Sequence, residues 1–382
     1  MPEPIQDAAQ VKSFMDELET MQDPRDNRGK RHSLPFVLAV VSLAIMAGRT
    51  KVSGLHRFIT NRIEWLRDIT QRPDARPISR AQLPRILAVV DWDELNTRVE
   101  RHFGVRLEKN ATHEWTAIDG KTLRGTEHQE ERTLLAVTHT TRTIQAQRPM
   151  TGPKASEIVA ARDLLRESGL DEGKVTLDAL HFNPKTTRQI HQAGGFYVIQ
   201  VKDHQPILQQ QLVDWTTRVQ PLGQVTAGPE KAHGRIETRH GTVFALAGLS
   251  VEPRWAESGL HTLVVMHRQT VEVKTQQRSA ETSYYVSNLS VTPEQPSAQV
   301  DLFDAIRGHW GVEADNYIRD VTLGEDDVKT KNGNQGHILA TLRTLAMGLL
   351  RKANLPNFRA ALDDFADNPK LFKGFLEQVG FL

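Results

Sequence analysis

Between Trp115 and Val201 the chain changes from helical to sheet texture, and this stretch constrains the fold more than any other. Three short runs, EWTAIDG, RTLLAVTHT and TRTIQAQRP, carry β-branched residues at two-residue spacing. They read as strands, the second and third joined as a hairpin near Thr140 to Arg142. A helix follows over 156–167, spaced by Ile158, Val159, Ala161, Leu164 and Leu165. Next come a strand at Lys174–Leu177, a helix at Pro184–Ala193 ended by Gly194 and Gly195, and a strand, FYVIQV, at Phe196–Val201. Three antiparallel strands running into strand–helix units predict a mixed α/β sheet.

The region before this sheet is helical. Val11, Phe14, Met15 and Leu18 mark a short helix, and Asp23–His32 (DPRDNRGKRH) is a basic turn. Ser33 caps a helix with Pro35 in its first turn and Gly48 at its end. Ser53 opens another through Leu55, Phe58, Ile59, Ile63 and Leu66, with His56, Arg57, Arg62 and Arg67 outside, an outline compatible with a helix-turn-helix. Pro73, Pro77 and Pro84 punctuate a change of direction before a helix at Ile86–Phe103. Beyond the sheet, 205–298 reads as a β-rich insertion with strands at Thr242–Leu246, Thr262–Arg268 and Ser283–Val286. Helices resume at Asp301, and Ile338–Leu350 is amphipathic. The expected division is a helical, basic N-terminal domain (1–110), an α/β domain (111–204 with 299–350), the insertion (205–298) and a helical tail (351–382).

A chain of 382 residues can bury a sizeable core. The absence of cysteine excludes disulfides, thiolate metal sites and a Cys nucleophile, so any metal must sit on oxygen or imidazole. The start lacks the basic and apolar regions of a signal peptide, and the longest apolar run, Leu34–Gly48, is shorter than the roughly 20 residues a bilayer requires. A cytoplasmic protein is expected. Net charge is only +1, but from Arg25 to Arg85 there are 13 Lys and Arg against 4 Asp and Glu. Such a local excess suits a phosphate-binding surface.

Three carboxylates stand out. Asp119 heads IDGKTLRG at the expected end of a buried strand, with Lys121 and Arg124 just after it, and Asp178 repeats the arrangement in KVTLDALHF. Ligands gather at the carboxyl ends of strands in α/β sheets. Two acids close together there repel unless a cation lies between them, and Mg²⁺ or Mn²⁺ is the matching partner for oxygen ligands. Glu313 lies on a helix within DLFDAIRGHWGVEADNYIRDVTLGEDD, on one face with Ile306, Trp310, Asn316, Tyr317 and Asp320. Asp320, about 10 Å further along, is the rival ligand, and Glu325, Asp326 and Asp327 read as a solvated loop. Two divalent ions held by such acids can activate a water or 3′-hydroxyl and stabilise the leaving oxygen of a phosphodiester. Candidate DNA contacts are Arg28, Lys30 and Arg31 in the basic turn, Lys121 and Arg124 beside Asp119, Lys202 near His204, and Arg235 and Arg239 in HGRIETR. His191 and His233 are isolated imidazoles, read as hydrogen-bonding residues.

Taken in order, DPRDNRGKRHSLPFVLAVVSLAIMAG, IDGKTLRG, KVTLDALHFNPKT, GGFYVIQVKDHQP, HGRIETR and RGHWGVEADNYIRDVTLGEDD resemble the successive motifs of DDE-class insertion-sequence transposases, the H-repeat-associated, ISAs-type group in particular. The resemblance runs from about residue 20 to 350. It implies a ribonuclease-H-like catalytic domain with a β insertion, dependence on two Mg²⁺ (or Mn²⁺) ions, and cutting and joining of double-stranded transposon-end and target DNA, with a homodimer on the nucleoid. The family's aspartates fall on Asp119 and Asp178 and its glutamate on Glu313, which leaves Asp320 a structural role. Many members continue after the glutamate as Glu-Asn-x-Leu-His-Trp, whereas this chain reads EADNYIR, so roles for Asn316, Tyr317 and Arg319 do not carry over. A metal-dependent nuclease without strand transfer and a catalytically silent DNA-binding regulator are the alternatives.

Overall fold

The structure is a computed structural model, and it describes residues 13–103, 114–126, 131–151, 156–232 and 234–382. At the N-terminus, Ser13 and Asp16 exchange the two hydrogen bonds of a capping box and start α1 (Phe14–Glu19). Helix α2 (Leu34–Met46) carries apolar residues on all sides, and all thirteen of its residues are buried. It therefore lies inside the helical layer, unlike the first helix of a freestanding helix-turn-helix. The turn after it leads into α3 (Val52–Asn61), capped from Lys51 and not from Ser53, and the chain bends at Arg62 into α4 (Ile63–Ile69). The helix expected over 86–103 is two, α5 (Gln82–Leu87) and α6 (Trp92–His102). Asp91 separates them because its carboxylate accepts from Glu94 N–H and starts a new helix.

The α/β region contains β1 (Trp115–Thr122), β2 (Glu131–Thr138), β3 (Ile144–Thr151), α7 (Ser156–Ser168), β4 (Lys174–Leu177), α8 (Pro184–Gln192) and β5 (Phe196–Val201). These are the elements expected from the sequence. Then follow α9 (Pro206–Thr216) and four strands, β6 (Gly223–Ala232), β7 (Arg235–Ala245), β8 (Thr262–Glu272) and β9 (Arg278–Ser287). All nine strands form one sheet of order β3-β2-β1-β4-β5-β9-β8-β7-β6. Only β1–β4 and β4–β5 are parallel, and β9 continues the sheet antiparallel to β5. The β-rich segment thus lengthens the sheet instead of forming a second one.

The helices α10 (Pro296–His309), α11 (Gly311–Tyr317) and α12 (Gly333–Lys352) return to the sheet, and α13 (Phe358–Asp367) and α14 (Pro369–Gln378) complete the chain. Alternation along β2 shows how the layers are sealed. Leu134 and Ala136 enter the core shared with α7 and α8, while Leu135 and Val137 enter the one built from α2, α12 and the terminal helices. The chain is therefore a mixed α/β, ribonuclease-H-like fold with a helical N-terminal region. No helix among the described residues is long and apolar enough to cross a membrane.

Candidate active site

Strand register sets the first two carboxylates side by side. Ile118 pairs with Leu177 in the parallel β1–β4 ladder, and the next residue on each strand is Asp119 and Asp178. Neighbouring strands lie about 4.8 Å apart. Pairing between β1 and β4 stops at this level, yet β1 itself runs on to Thr122 against β2. Asp119 is thus inside its strand and not at the end expected for an Asp-Gly turn. Gly120 serves a different purpose: a Cβ there would lie 2.3 Å from Oε1 of Glu157, so the glycine admits that carboxylate. Asp178 ends β4 and caps a 3₁₀ turn, accepting from Leu180 N–H at 2.7 Å.

Glu313 comes from the first turn of α11, after the helix breaks at Trp310. Two residues on, the fully buried Asp315 is held by Arg142, from the β2–β3 turn, and by Arg351 of α12. A Cβ on Gly311 would lie 2.0 Å from Nη1 of Arg142, so this glycine lets the guanidinium close on the helix. Asn316 Nδ2 donates to Asp119 Oδ2 at 3.0 Å, tying α11 directly to β1. Asp119, Asp178 and Glu313 consequently line one cleft of about 130 Å³, with Thr176, Lys202, His309 and Trp310 also in its wall. A second hollow of about 460 Å³ shares Lys202, Tyr285 and Trp310 with it and extends along β7–β9 and α10.

The cleft is electrostatically unbalanced. Burial, then the charge of Asp178, then those of Glu157 and Glu313 push Asp119 up to about 6, against the Gly120 N–H, which works to lower it. Partial desolvation also raises Glu313, which sits exposed at the rim. His309 is pushed down to about 4, chiefly by burial, so it is a neutral imidazole at pH 7, bonded through Nδ1 to the Thr176 hydroxyl at 3.0 Å. Among the described residues no three His, Asp or Glu side chains are gathered tightly enough to close around one ion as they stand. The donor set nevertheless suits a hard divalent cation. It consists of carboxylate oxygens without thiols, and burial together with the neighbouring acids makes the ionised form of Asp119 costly without a cation to balance it.

The expected DNA-contacting bases divide. Lys202 is exposed at the mouth of the cleft. Arg124 is exposed and only loosely paired, 3.7 Å from Asp326. Arg28 and Arg31 are exposed and Lys30 donates to the Asp23 carbonyl at 3.3 Å, but none of the three lines the cleft. Arg235 is exposed on β7, whereas Arg239 is engaged by Glu237 and lies 3.4 Å from Glu230. Lys121 is not surface-accessible: it is 8% exposed and ion-paired to Asp320 and Glu325. Nor is 325–327 wholly a solvated loop, since Glu325 is buried and takes the Arg319 guanidinium at 3.0 Å through both oxygens. Burial works to raise Glu325, but Arg319 and Lys121 outweigh it and bring it to about 2. Asp320 is ion-paired to Lys121, and Asn316 donates to Asp119. Glu157 went unnoticed in the sequence because only the apolar spacing of its helix was informative there. His233 lies outside the described residues.

The geometry gives three carboxylates lining one cleft on a ribonuclease-H-like sheet, and comparison with known proteins places the chain in a family. Residues 110–349 match the Transposase DDE domain family and residues 15–103 match the DDE_Tnp_1-associated family. The chain belongs to the DDE transposase family. It is 24% identical over 365 residues to the "H repeat-associated putative transposase YhhI" of Escherichia coli K12, covering 92% of this chain and 93% of that protein. It is 24% identical over 357 residues to the "Putative transposase YncI" of E. coli O157:H7, covering 89% and 88%. With an "Uncharacterized protein in dhlA 3'region" of Xanthobacter autotrophicus it shares 29% identity over 257 residues, covering 65% and 85%. DNA binding follows from the family, and divalent metal ions are usual for it.

Proposed function

We propose that this chain cuts phosphodiester bonds at the ends of a mobile DNA element and joins the freed 3′-hydroxyl to target DNA. The observation that carries this reading is the convergence of Asp119, Asp178 and Glu313, from three separate elements, on one cleft. Two divalent ions such as Mg²⁺, held by these three carboxylates, would supply activation of the attacking oxygen and stabilisation of the leaving one. The chain's own part is placement. Asp119 and Asp178 are fixed by strand register, and Glu313 is fixed through the Asp315 and Asn316 contacts of its helix. Lys202 at the mouth offers a cation to a DNA phosphate. Arg239 and Arg307 in the adjoining hollow are paired with Glu237 and Glu230, and exchange of those acids for phosphate would turn both arginines toward DNA. A homodimer on DNA would bring two ends together.

The test uses duplexes cut from the DNA on either side of the gene, chosen to carry any inverted repeat found there. With Mg²⁺ the purified protein should nick at the repeat boundary and join the new 3′-end to a second duplex, and a chelator should stop both. Nicking without joining would support a nuclease that no longer transposes, and binding without any metal-dependent nicking would leave only a DNA-binding protein.

A further inference from the structure

Glu157 is a carboxylate in the first turn of α7 that the cleft's three acids leave unexplained. It is 6% exposed, and a charge so placed is costly without close partners. Its partners are not close: Arg132 Nη1 of β2 is 3.5 Å from Oε2, and His181 Nε2 is 3.6 Å from Oε1. His181 is itself 1% exposed, and neither ring nitrogen has a hydrogen-bond partner. Its Nε2 also stands 4.0 Å from Asp178 Oδ1. On the other side Glu157 occupies the space a Cβ of Gly120 would need, directly after Asp119. Glu157 therefore lies between Gly120 of β1, next to Asp119, and His181, which in turn faces Asp178 in the turn after β4. An ordinary buried ion pair needs only Arg132. It explains neither the glycine inside β1 nor the buried imidazole beside Asp178.

We propose that Glu157 and His181 form a buried positioning pair that holds Asp119 and Asp178 at the spacing a divalent cation requires. This rests on the metal-binding role proposed above for those aspartates. Outer partners of metal ligands orient them, and their loss typically weakens metal affinity about 10- to 100-fold. The charge of Glu157 also reaches Asp119, raising its carboxyl beside the larger effects of burial and of Asp178.

The experiment is Mn²⁺ titration of the full-length protein by calorimetry, beside the Mg²⁺ dependence of strand cleavage. Glu157→Gln should weaken Mn²⁺ binding about 10- to 100-fold. It should raise the Mg²⁺ needed for half-maximal cleavage by a similar factor, while the rate at saturating Mg²⁺ recovers to within about threefold, a split that general loosening of the fold would not give. Gly120→Ala, which displaces the Glu157 carboxylate without removing a charge, should weaken Mn²⁺ binding alone but add nothing to Glu157→Ala. A wild type that takes up no Mn²⁺ would refute the metal reading and this inference with it. A wild type that binds, beside a folded Glu157→Gln that binds equally well, would refute the positioning pair alone. Additive effects of Gly120→Ala and Glu157→Ala would refute it too. Should Glu157→Gln fail to fold, Gly120→Ala decides, and unchanged Mn²⁺ affinity in that variant overturns the proposal.

Discussion

Replacing Asp119 or Asp178 by Asn, or Glu313 by Gln, is expected to lower metal-dependent strand cleavage by at least about 10³-fold while leaving DNA binding in place. Several kcal/mol of transition-state charge stabilisation depend on a correctly held cation, and each 1.36 kcal/mol is about tenfold in rate. Parallel gel assays of cleavage and of end-DNA retention check this, and any of the three variants that still cleaves within about tenfold of wild type removes that residue from the site. Asp119→Asn should do something more. Asp119 in the folded protein holds its proton up to about pH 6, well above its ordinary 3.8. Its ionisation therefore opposes folding, a cost complete above pH 6 that fades as pH falls and is absent below about 3.8. A shift of this size has a ceiling of about 3 kcal/mol, and incomplete burial reduces it. The metal-free Asp119→Asn protein should be more stable than wild type by about 1–2 kcal/mol at pH 7.5 and by none at pH 3.5. Added Mg²⁺ should narrow the gap by stabilising only the wild type. Equal denaturant midpoints at pH 7.5 without metal would show that neither burial nor the neighbouring carboxylates penalise ionised Asp119.

Breaking the ion network behind the site should have the largest effect on stability. Arg319 is 0% exposed and meets Glu325 through both Nε and Nη2, while Glu325 also accepts from Lys121, two residues beyond Asp119. Arg343 extends the network, donating to the carbonyls of Leu323 and Thr50, so the turn between α2 and α3 is tied to the segment after Glu313. Removing one member of such a pair strands the other, at about 3–5 kcal/mol. Arg319→Met is expected near the lower bound, about 3 kcal/mol, because Lys121 still faces Glu325. The double variant Arg319→Met/Glu325→Gln should recover part of the loss. Acid titration supplies a second check. Glu325, held near 2 in the fold against an ordinary 4.5, contributes stability above about pH 4.5 that is lost as pH falls toward 2. That slope should flatten in Arg319→Met. An Arg319→Met protein as stable as wild type would mean the network adds nothing.

Much of this was legible in the sequence where burial forces a pattern. The alternation of β1, β2 and β5 and the apolar run of α2 are consequences of what must be hidden from water, and the structure has them where the spacing put them. Strands β7 to β9 extend beyond the runs legible in the sequence, and β6 leaves no sequence signal, because their outer halves are half-buried or exposed and held by backbone pairing that leaves no apolar signature. The resemblance of motifs marked Asp119, Asp178 and Glu313, but the register that sets the two aspartates level with each other is a property of the β1–β4 pairing. Lys121 was misread because basic residues beside an acid suggest an anionic ligand, and nothing local reveals that Glu325, 204 positions away, meets its ammonium group. Glu157 was missed for the same reason, since its importance lies in Gly120 and His181, both remote in the chain.

The central claim, that Asp119, Asp178 and Glu313 hold catalytic metal, is tested most directly by anomalous X-ray difference density from crystals grown with Mn²⁺. Peaks coordinated by those three carboxylates are expected in the wild type and should be absent or displaced in Asp119→Asn. Crystals saturated with Mn²⁺ that show no peak in this cleft, or show one only at other acids, would contradict the claim.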